Sequence, residues 1–565
     1  MKLVLYEKPS VGNTVAKVLG VKSRKDGYIE CSDHIVSWCI GHLVNLALPE
    51  EYGKEYKKWD KLPILPTEWK YNILSGTKKQ FDIIRRLMNR KDVTGIVCAT
   101  DAGREGELIF RLVYNEAECK KPVERLWISS LEDAAIKSGF ASLHKGSDFD
   151  DLYKSALCRE RADWLIGMNL SRFFTVKNDK VFSIGRVQTP TLAMVAARDK
   201  EIKNFKKGYF YTVDLDCGGF AAKSKNFDDK NTAERLCNGC DTAKVVSVKR
   251  ENKFTAPPKL YDLTTLQREA NKHFGFTAQQ TLNIVQKLYE AKLVTYPRTD
   301  SRFLTEDMED TAQAVINTIT DTLDYKISET PNIKPVMNNK KVTDHHAIIP
   351  TINLKPDTID TLSHDERKVL VLIALRLLAA TAPKEEYESV KVELESGGEK
   401  FTATGKTVIN DGFKAVEKQF KTGEEKETAL PDIAEGNTYD VSAKVTEHET
   451  QPPKAYTEDT LLSAMEKAGG KDFDSNVERT GLGTPATRAN IIETLVKRKY
   501  IDRKGKNLVS TALGNELIDA VPDSLTSPAM TVEWENELSQ IAQGQAESDG
   551  FMQGIENFIM ETIRN

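Results

Sequence analysis

The sequence is informative first through what it lacks. None of its eight cysteines lies beyond Cys240, so their spacing gives no disulfide framework and fits a reducing cytoplasm best. No long apolar run free of charge occurs, which argues against a membrane span. The opening stretch MKLVLYEKPS becomes charged too early for a secretory signal. These absences favour a protein that works in the cytoplasm.

Two motifs that would indicate a cofactor are incomplete. Cys237 and Cys240 form one CxxC without a second pair, so a turn at the intervening Asn-Gly is a better interpretation than a zinc site. The triplet Gly405-Lys406-Thr407 resembles the end of a P-loop, but Lys400 stands where that motif requires glycine. We therefore expect neither a zinc site nor an ATP site.

Length and charge leave nucleic acid open as a partner. The 565 residues are too many for one hydrophobic core and predict about three to five domains. There are 80 basic and 84 acidic residues, which gives a net charge of −4. This balance is compatible with a multidomain protein that confines its basic groups to one channel.

Two predicted strands end in acidic residues near the start of the chain. One short apolar strand ends at Glu7, and a second ends at Asp101, with Glu105 following at the start of a helix. Such ends meet at the carboxyl edge of an α/β sheet, and Ser10 is expected to cap the first helix. One carboxylate alone is more often a cap or a solvated charge. Clustered with Lys8, however, these oxygens predict a functional site suited to Mg²⁺.

Basic, aromatic and hydroxyl residues mark a second candidate site. Trp59 and Lys61 belong to a stretch of interleaved lysines and aromatics, which suits a nucleic-acid strand but equally a solvated loop. A predicted helix over 156–175 carries several arginines. The loop 183–191, followed by a predicted helix from Leu192, combines glycine, arginine, glutamine and hydroxyl groups. That combination favours phosphate contact, with an ordinary capped turn as the alternative.

Alternation of apolar and polar residues predicts antiparallel sheet in two distant places. Tyr211 to Leu215 and Val390 to Leu394 both have period two, and a helical block lies between them. A β arch interrupted by an inserted helical domain explains this arrangement.

A repeat places Tyr296 in context. Aligning Thr277 with Thr484 superimposes two segments that both predict a helix and then a short strand, as in winged-helix modules. Arg503 occupies the position of Tyr296 in the second copy, so the shared scaffold does not require tyrosine there. A single Tyr-Pro-Arg is more often structural, but Arg298 could lower the phenol pKa and hold a phosphate.

Six motifs, in order, resemble those of one enzyme family. They are EKPS (7–10), TDAGREGE (100–107), SIGRVQTPT (183–191), TYPRTDS (295–301), DHHAIIPT (344–351) and GLGTPATRANI (481–491). Together they resemble the type IA DNA topoisomerases, and within them the bacterial topoisomerase III sequences.

The resemblance implies a multidomain toroid of mixed α/β, α and β structure. We expect a Rossmann-like Toprim domain over 1–150 and a helical base with a DNA groove over 151–208 and 452–565. A β arch is expected over 209–255 and 385–451, and a winged-helix-like domain carrying the tyrosine over 256–384.

The resemblance also implies a reaction and its residues. Tyr296 would attack one DNA strand to give a 5′-phosphotyrosine, with Arg298 stabilising the phosphoryl charge and Lys8 protonating the departing 3′ oxygen. Three further catalytic residues are implied, namely Glu7, Glu105 and His345, although a lone histidine is more often structural. The expected Mg²⁺ ligands are Glu7 and Asp101, since Gly103 replaces the second acid of the family's Asp-x-Asp pair.

The implied DNA contacts are Lys61, Arg161, Asp163, Asn169, Arg172, Ser183, Ile184, Gly185, Arg186, Val187, Gln188 and Thr189. The substrates would be single-stranded DNA and underwound or catenated duplex DNA. A monomer at the nucleoid would relax negative supercoils and decatenate DNA without ATP, with a RecQ-type helicase or a single-strand-binding protein as companion. The alternatives are a non-catalytic single-stranded DNA scaffold and another Toprim enzyme such as a primase.

Overall fold

The N-terminal part of the chain is organised around a seven-stranded sheet. This computed structural model describes residues 1–128, 131, 133–325, 329–342, 345–418, 429–470 and 481–564. The N-terminal part contains nine strands, of which seven belong to this sheet. The strands are β1 (Lys2–Tyr6), β2 (Val21–Lys25), β3 (Tyr28–Cys31), β4 (His34–Trp38), β5 (Val44–Leu46), β6 (Tyr71–Ile73), β7 (Gly95–Cys98), β8 (Val123–Arg125) and β9 (His144–Lys145). The helices are α1 (Pro9–Val18), α2 (Lys78–Met88), α3 (Arg104–Glu116) and α4 (Asp133–Ala141).

The centre of this sheet is parallel. Its order is β2-β3-β4-β1-β7-β8-β9, with β5 and β6 forming a separate pair. Strand β1 pairs in parallel with both β4 and β7, and β7 pairs in parallel with β8. Leu3, Val4 and Leu5 are fully buried because helices cover both faces of the sheet. The ends of β1 and β7 therefore lie side by side, as the strand-end pattern predicts.

The predicted cap of the first helix is wrong. Helix α1 begins at Pro9, with Lys8 as its N-cap residue and no side-chain capping bond, so Ser10 lies inside the first turn. Proline is favoured at that first position because its φ is already helical and its missing N–H has no partner there. Lys8 is thereby placed at the junction between β1 and α1.

Two long helices follow, and a second sheet lies after them. The helices are α5 (Asp150–Asn178) and α6 (Gln188–Asn204), so α6 begins four residues before the predicted Leu192. The next elements are β10 (Tyr209–Asp216), β11 (Ala221–Ser224), α7 (Lys230–Asn238) and β12 (Thr242–Thr255).

The segment after β12 is helical and carries Tyr296. Its helices are α8 (Leu263–Phe274), α9 (Ala278–Glu290), α10 (Glu309–Leu323), α11 (Pro356–Asp360) and α12 (His364–Thr381). Apolar faces of these helices form one core with Val294, Ile348 and Ile349. We call this unit the tyrosine domain. Among the described residues of this domain, strand structure is limited to isolated bridges such as Val294 with Pro350. The short strand predicted after α9 is therefore reduced to a single bridge.

The chain then returns to the second sheet. Its remaining strands are β13 (Glu385–Ser396), β14 (Glu399–Asn410), β15 (Thr438–Asp440) and β16 (Ser442–Glu449), with α13 (Phe413–Lys418) between β14 and β15. The order is β15-β12-β13-β14-β11-β10-β16, and every pairing is antiparallel. Strand β12 pairs with β13 along nearly its whole length, so the sheet closes across the inserted tyrosine domain.

The C-terminal segment is helical with a small sheet. Its elements are β17 (Tyr456–Thr457), α14 (Glu458–Lys467), α15 (Pro485–Lys497), β18 (Ile501–Lys504), β19 (Asn507–Ser510), α16 (Ala512–Ala520), α17 (Asp523–Thr526), α18 (Ala529–Ala542) and α19 (Ser548–Arg564). Their apolar faces share one core with α5 and α6. In the repeat, Arg503 lies on β18 and pairs with Glu458 and Glu493.

Candidate active site

Tyr296 lies in an extended segment that is held against the stretch containing His345. Thr295 N donates to Ile349 O at 2.9 Å, and Thr295 Oγ1 donates to Ala347 O at 3.0 Å. The ring of Tyr296 lies 4.2 Å from that of His345, centre to centre, and 5.4 Å from that of Tyr289 at nearly a right angle. Only 8% of Tyr296 is exposed, so its position is fixed by packing on both sides.

The Tyr296 hydroxyl reaches the edge of the N-terminal sheet. It donates a hydrogen bond to Asp101 Oδ2, directly beyond the end of β7. Residues 195 positions apart in the sequence therefore meet at one point, as the carboxylate edge and the tyrosine motif together predict.

The pKa of Tyr296 is raised well above its ordinary value of 10.0. Burial is the largest cause, followed by the negative charges of Asp101 and Glu7. Arg298 lowers the pKa, in the predicted direction, but its effect is outweighed. The predicted direction of the arginine's effect is confirmed, but the pKa of the phenol is raised overall because burial and the two carboxylates outweigh it.

Glu7 and Lys8 lie at the end of the neighbouring strand. Burial raises the pKa of Glu7 to about 7, and the charge of Asp101 adds to the rise. Lys8 Nζ lies 3.9 Å from Glu7 Oε1 and 5.9 Å from the centre of the Tyr296 ring. It has no hydrogen-bond partner among the residues that the structure describes. A buried ammonium group beside Tyr296 is thus available to an anionic ligand.

Glu105 is tied to a residue that the sequence did not single out. Its Oε1 lies 2.7 Å from His42 Nε2. Burial opposes charge on both groups, but the hydrogen bond overcomes it, so the pKa of Glu105 is lowered and that of His42 is raised. The signal that could have found His42 is its place just after β4, at the same sheet edge as Glu7.

The backbone beneath Asp101 is held by a buried arginine that sequence reasoning also missed. Arg125 is fully buried and donates to Thr100 O at 2.7 Å and to Asp101 O at 2.8 Å. Its Nε lies 3.2 Å from Glu107 Oε2, which offsets the buried charge. The pair fixes the turn that presents Asp101 to the tyrosine.

Arg298 and His345 flank Tyr296 on the tyrosine domain. Arg298 is half-buried, and its charge lowers the pKa of both Glu7 and Tyr296. His345 is nearly buried, and Thr299 Oγ1 donates to its backbone oxygen at 2.8 Å. The motif residues Thr343 and Asp344 lie outside the described residues. All six predicted catalytic residues thus lie around one point or on its rim.

The donor set suits a magnesium ion better than a transition metal. In the described part of the chain, no group of three or more His, Cys, Asp and Glu side chains is arranged for a metal. Glu7 and Asp101 nevertheless repel each other in a buried place, and Mg²⁺ typically uses one or two carboxylates plus water and phosphate. Gly103 has a φ of 155° and a ψ of 173°, a conformation that strains other residues. An acidic side chain is therefore disfavoured there.

The predicted DNA-contact residues fall into two groups. Eight of them line one groove with a volume of about 790 Å³ between α5, α6 and α15. These are Asp163, Arg172, Ser183, Ile184, Gly185, Arg186, Val187 and Gln188. The other four, Lys61, Arg161, Asn169 and Thr189, do not line this groove. The groove also holds Trp59, Arg159 and Arg498, which the sequence reasoning left out as contacts.

Two of the predicted contacts that do not line the groove, Asn169 and Thr189, hold the protein's own backbone. Asn169 is fully buried and pins the backbone of Ile64, accepting from its N–H at 2.6 Å and donating to its oxygen at 2.9 Å. Thr189 is buried and accepts from the Gly185 N–H at 3.1 Å. Such residues shape the groove wall whether or not they touch a ligand.

One buried glutamate gathers three arginines at the inner end of the groove. Glu535 on α18 lies 2.9 Å from Arg104, 3.3 Å from Arg186 and 3.7 Å from Arg159. Although burial opposes charge, these cations lower the pKa of Glu535 far below its usual range. Because Arg104 precedes Glu105 on α3, the cluster joins the groove to the carboxylate edge.

Comparisons with known proteins agree with this architecture. The family model described as DNA topoisomerase matches residues 147–553, and the Toprim domain model matches residues 2–131. The chain is 44% identical to DNA topoisomerase 3 of Bacillus licheniformis and 42% identical to that of Bacillus subtilis. Each alignment covers 100% of this chain and 81% of the relative.

A solved structure shows the same fold. Full-length topoisomerase I from Thermotoga maritima matches with a TM-score of 0.78 at 24% identity, over 99% of this chain and 90% of that chain. The two family models together with the matching fold define the class of the protein as a DNA topoisomerase with a Toprim domain. The chain belongs to the type IA DNA topoisomerase family.

Membership confirms the predicted family, the multidomain α/β fold and the enzyme class, that of an ATP-independent isomerase. The alternative of a non-catalytic scaffold or another Toprim enzyme is not favoured. Toprim domains generally bind metal. Within the described ranges, no helix is long and apolar enough to span a membrane.

Proposed function

We propose that Tyr296 is the nucleophile of reversible DNA strand cleavage. Its oxygen attacks a backbone phosphorus, the bond from phosphorus to the 3′ oxygen breaks, and a 5′-phosphotyrosine and a free 3′-hydroxyl result. The same steps in reverse religate the strand. The observation that carries this proposal is the hydrogen bond from Tyr296 to Asp101, which sets the phenol among Lys8, Arg298 and two carboxylates.

The surrounding residues would stabilise charge and transfer protons during this reaction. Arg298 stabilises the developing phosphoryl charge. Lys8, buried and without a hydrogen-bond partner among the described residues, protonates the departing 3′ oxygen. His345 contacts the scissile phosphate from the side of the Tyr296 ring. Glu7 and Glu105 shape the pocket for the 3′-hydroxyl, and His42 holds Glu105 ionised.

Glu7 and Asp101 would hold a magnesium ion. The support is their mutual repulsion in a buried place, which a divalent cation offsets. When bound, the ion supplies positive charge that orients phosphate oxygens for religation. Two carboxylates and Gly103 favour a single ion.

The groove would carry single-stranded DNA to this point. Predicted contacts that line it, among them Arg172, Ser183 and Gln188, would meet phosphates, while Trp59 offers a ring for base stacking. Lys61 and Arg161 would act outside the groove, and Asn169 and Thr189 would act through its shape. Arg186 lines the groove and is paired with Glu535, so we propose that it contacts DNA from a position held by the Glu535 cluster.

We propose the domain division 1–150, 151–208 with 452–565, 209–255 with 385–451, and 256–384. Separation of the tyrosine domain from the Toprim domain would open a gate for a second strand. A monomer at the nucleoid in the cytoplasm would then relax negative supercoils and decatenate underwound or catenated duplex DNA. A RecQ-type helicase or a single-strand-binding protein would supply single-stranded regions.

Plasmid relaxation tests the proposal. With Mg²⁺ and no ATP, the wild type should relax negatively supercoiled plasmid, and Tyr296→Phe should not. Tyr209→Phe is the matched control, because Tyr209 lies half-exposed on the β arch. In denaturant, label at the 3′ end of a cleaved oligonucleotide should stay with the protein. Relaxation by Tyr296→Phe, or retention of a 5′ label instead, would contradict the mechanism.

A further inference from the structure

A cavity lies beside Tyr296, and among the described residues none lines both this cavity and the groove. Its volume is about 490 Å³, within the usual range for small-ligand sites. The Toprim domain supplies one wall, including Tyr6, Leu126 and Ile128, and the tyrosine domain supplies the other, including Tyr289 and Ile352. Tyr296 itself lines the cavity, whereas Lys8 and Arg298 do not.

The chemistry of the walls specifies the kind of ligand. Most of the wall is apolar or aromatic, but the Tyr6 hydroxyl is buried and has no hydrogen-bond partner in the part of the chain that the structure describes. Only 2% of Tyr6 is exposed. A buried hydroxyl without a partner is destabilising, so a ligand with flat apolar faces and a polar edge fits best. A nucleobase has this character.

The position of the cavity specifies which base. From the groove, ion pairs lead through Arg186 and Glu535 to Arg104, which precedes Glu105 on α3. The charge of Glu105 acts on Glu7, and the charge of Glu7 in turn acts on Tyr296. The strand held in the groove ends at the 3′-hydroxyl beside Lys8. The other fragment carries its 5′-phosphate on Tyr296, so its first base must lie within one nucleotide of that hydroxyl, where the cavity begins.

We propose that this cavity receives the base of the first nucleotide 3′ to the break, with Tyr6 reading its polar edge. This inference rests on the proposed function. Because the two walls belong to different domains, a seated base also bridges the closed gate. Cleavage preference at this position is then a property of Tyr6 and its neighbours rather than of the groove.

Oligonucleotides with one base removed test the assignment. With the wild type, an abasic residue at the first position 3′ to the break should lower the covalent Tyr296 product about tenfold, the effect of losing one stacked base. An abasic residue three positions further should leave the product unchanged. Tyr6→Phe should flatten the wild-type preference among the four bases at the first position.

A second variant guards against a folding defect in Tyr6→Phe. Ile352 is 54% exposed at the cavity, and Ile409 is 60% exposed on β14. Ile352→Trp, which fills the cavity, should lower the covalent product on intact DNA and abolish its sensitivity to base removal. Ile409→Trp, the matched control, should keep both properties of the wild type.

The outcomes separate this inference from the proposed function. If the wild type forms no Tyr296-dependent product on intact DNA, the proposed function fails. If it cleaves intact and abasic strands equally, or if Tyr6→Phe keeps the full base preference, only the base-pocket assignment is overturned.

Discussion

The hydroxyl of Tyr296 donates a hydrogen bond to Asp101, a residue 195 positions earlier in the chain. This contact joins the tyrosine domain to the Toprim domain at the proposed reaction point. In the proposed mechanism, the gate is therefore held closed by the reacting groups themselves. The contact also keeps the phenol protonated, because burial and Asp101 raise the pKa of Tyr296. In the proposed mechanism, an entering phosphate must displace Asp101 from the hydroxyl before attack, which would couple DNA entry to activation of Tyr296.

The raised pKa of Glu7 predicts a pH dependence of stability. The native protein holds a proton on Glu7 that the unfolded chain releases, so the free energy of unfolding falls as pH rises from about 4.5 to about 7. A shift of this size corresponds to about 3 kcal/mol. Glu7→Gln lacks this titration. In denaturant unfolding without divalent cations, the free energy of unfolding of the variant should therefore rise relative to that of the wild type as pH rises.

Mg²⁺ provides the control for that experiment. Added at the high end of the pH range, Mg²⁺ should reduce the difference in free energy of unfolding between Glu7→Gln and the wild type, because it stabilises the ionised Glu7 of the wild type. Burial also raises the pKa of Glu160 to about 7, and that contribution should persist in Glu7→Gln. A stability difference that stays constant with pH would show that Glu7 titrates normally.

The pair His42 and Glu105 predicts a titration that can be followed directly. Histidine ring resonances should place the pKa of His42 above 6.5 in the wild type. In Glu105→Gln the hydrogen bond to a charge is lost and burial dominates, so the pKa of His42 should fall. The charged pair is thus complete below the pKa of His42 and is lost as pH rises through it.

Glu160→Gln serves as the comparison, since Glu160 also raises the pKa of His42 but without a hydrogen bond. Its effect should be smaller than that of Glu105→Gln. Equal effects would mean that the local charge, rather than the hydrogen bond, controls His42.

Short-range sequence patterns predicted strands and helices of this fold, and they predicted the carboxylates and the tyrosine of its site. Strands that end at Glu7 and Asp101 must share a sheet edge if the sheet is parallel, and period-two alternation marks β10 and β13 wherever they pair. These inferences hold because the alternation of residues along a strand and the acidic residues that follow it can both be read from a short stretch of sequence. The repeat also separated Tyr296 from Arg503, whose partners Glu458 and Glu493 give it a structural task.

Tertiary burial could not be read from the same patterns. The sign of the Tyr296 pKa shift depends on how deeply the ring is packed, and Arg298 alone suggested the opposite. The motif around Arg186 indicated phosphate contact. The Arg186 guanidinium is nevertheless buried against Glu535, which lies 349 residues later in the chain (535 − 186). His42 and Arg125 carry no motif that distinguishes them from ordinary loop and strand residues.

The Glu535 cluster predicts a large loss of stability on neutralisation. Glu535→Gln leaves three neighbouring arginines with less compensating charge in a buried place, which should cost about 3–5 kcal/mol. Differential scanning calorimetry should show a lowered transition for the helical base. Glu533→Gln is the matched control, because Glu533 is exposed two residues away on the same helix. An equal, small effect of both changes would contradict the role of Glu535 as the centre of the cluster.

The outer end of the groove predicts a division between stacking and charge. Trp59 is 44% exposed, and the Arg172 guanidinium lies 5.5 Å from its ring centre. Trp59→Ala should weaken binding of single-stranded DNA about tenfold without changing the salt dependence, because no phosphate contact is lost. Arg172→Gln should reduce the slope of log affinity against log salt by about one. Fluorescence anisotropy over a salt series measures both quantities.

Two further variants make the stacking prediction specific. Trp59→Phe keeps an aromatic face and should retain most of the affinity. Tyr209→Ala removes an aromatic ring that is 48% exposed on β10, outside the groove, and should bind like the wild type. If Trp59→Ala instead lowers the salt slope as Arg172→Gln does, then Trp59 acts by holding Arg172 in place rather than by stacking a base.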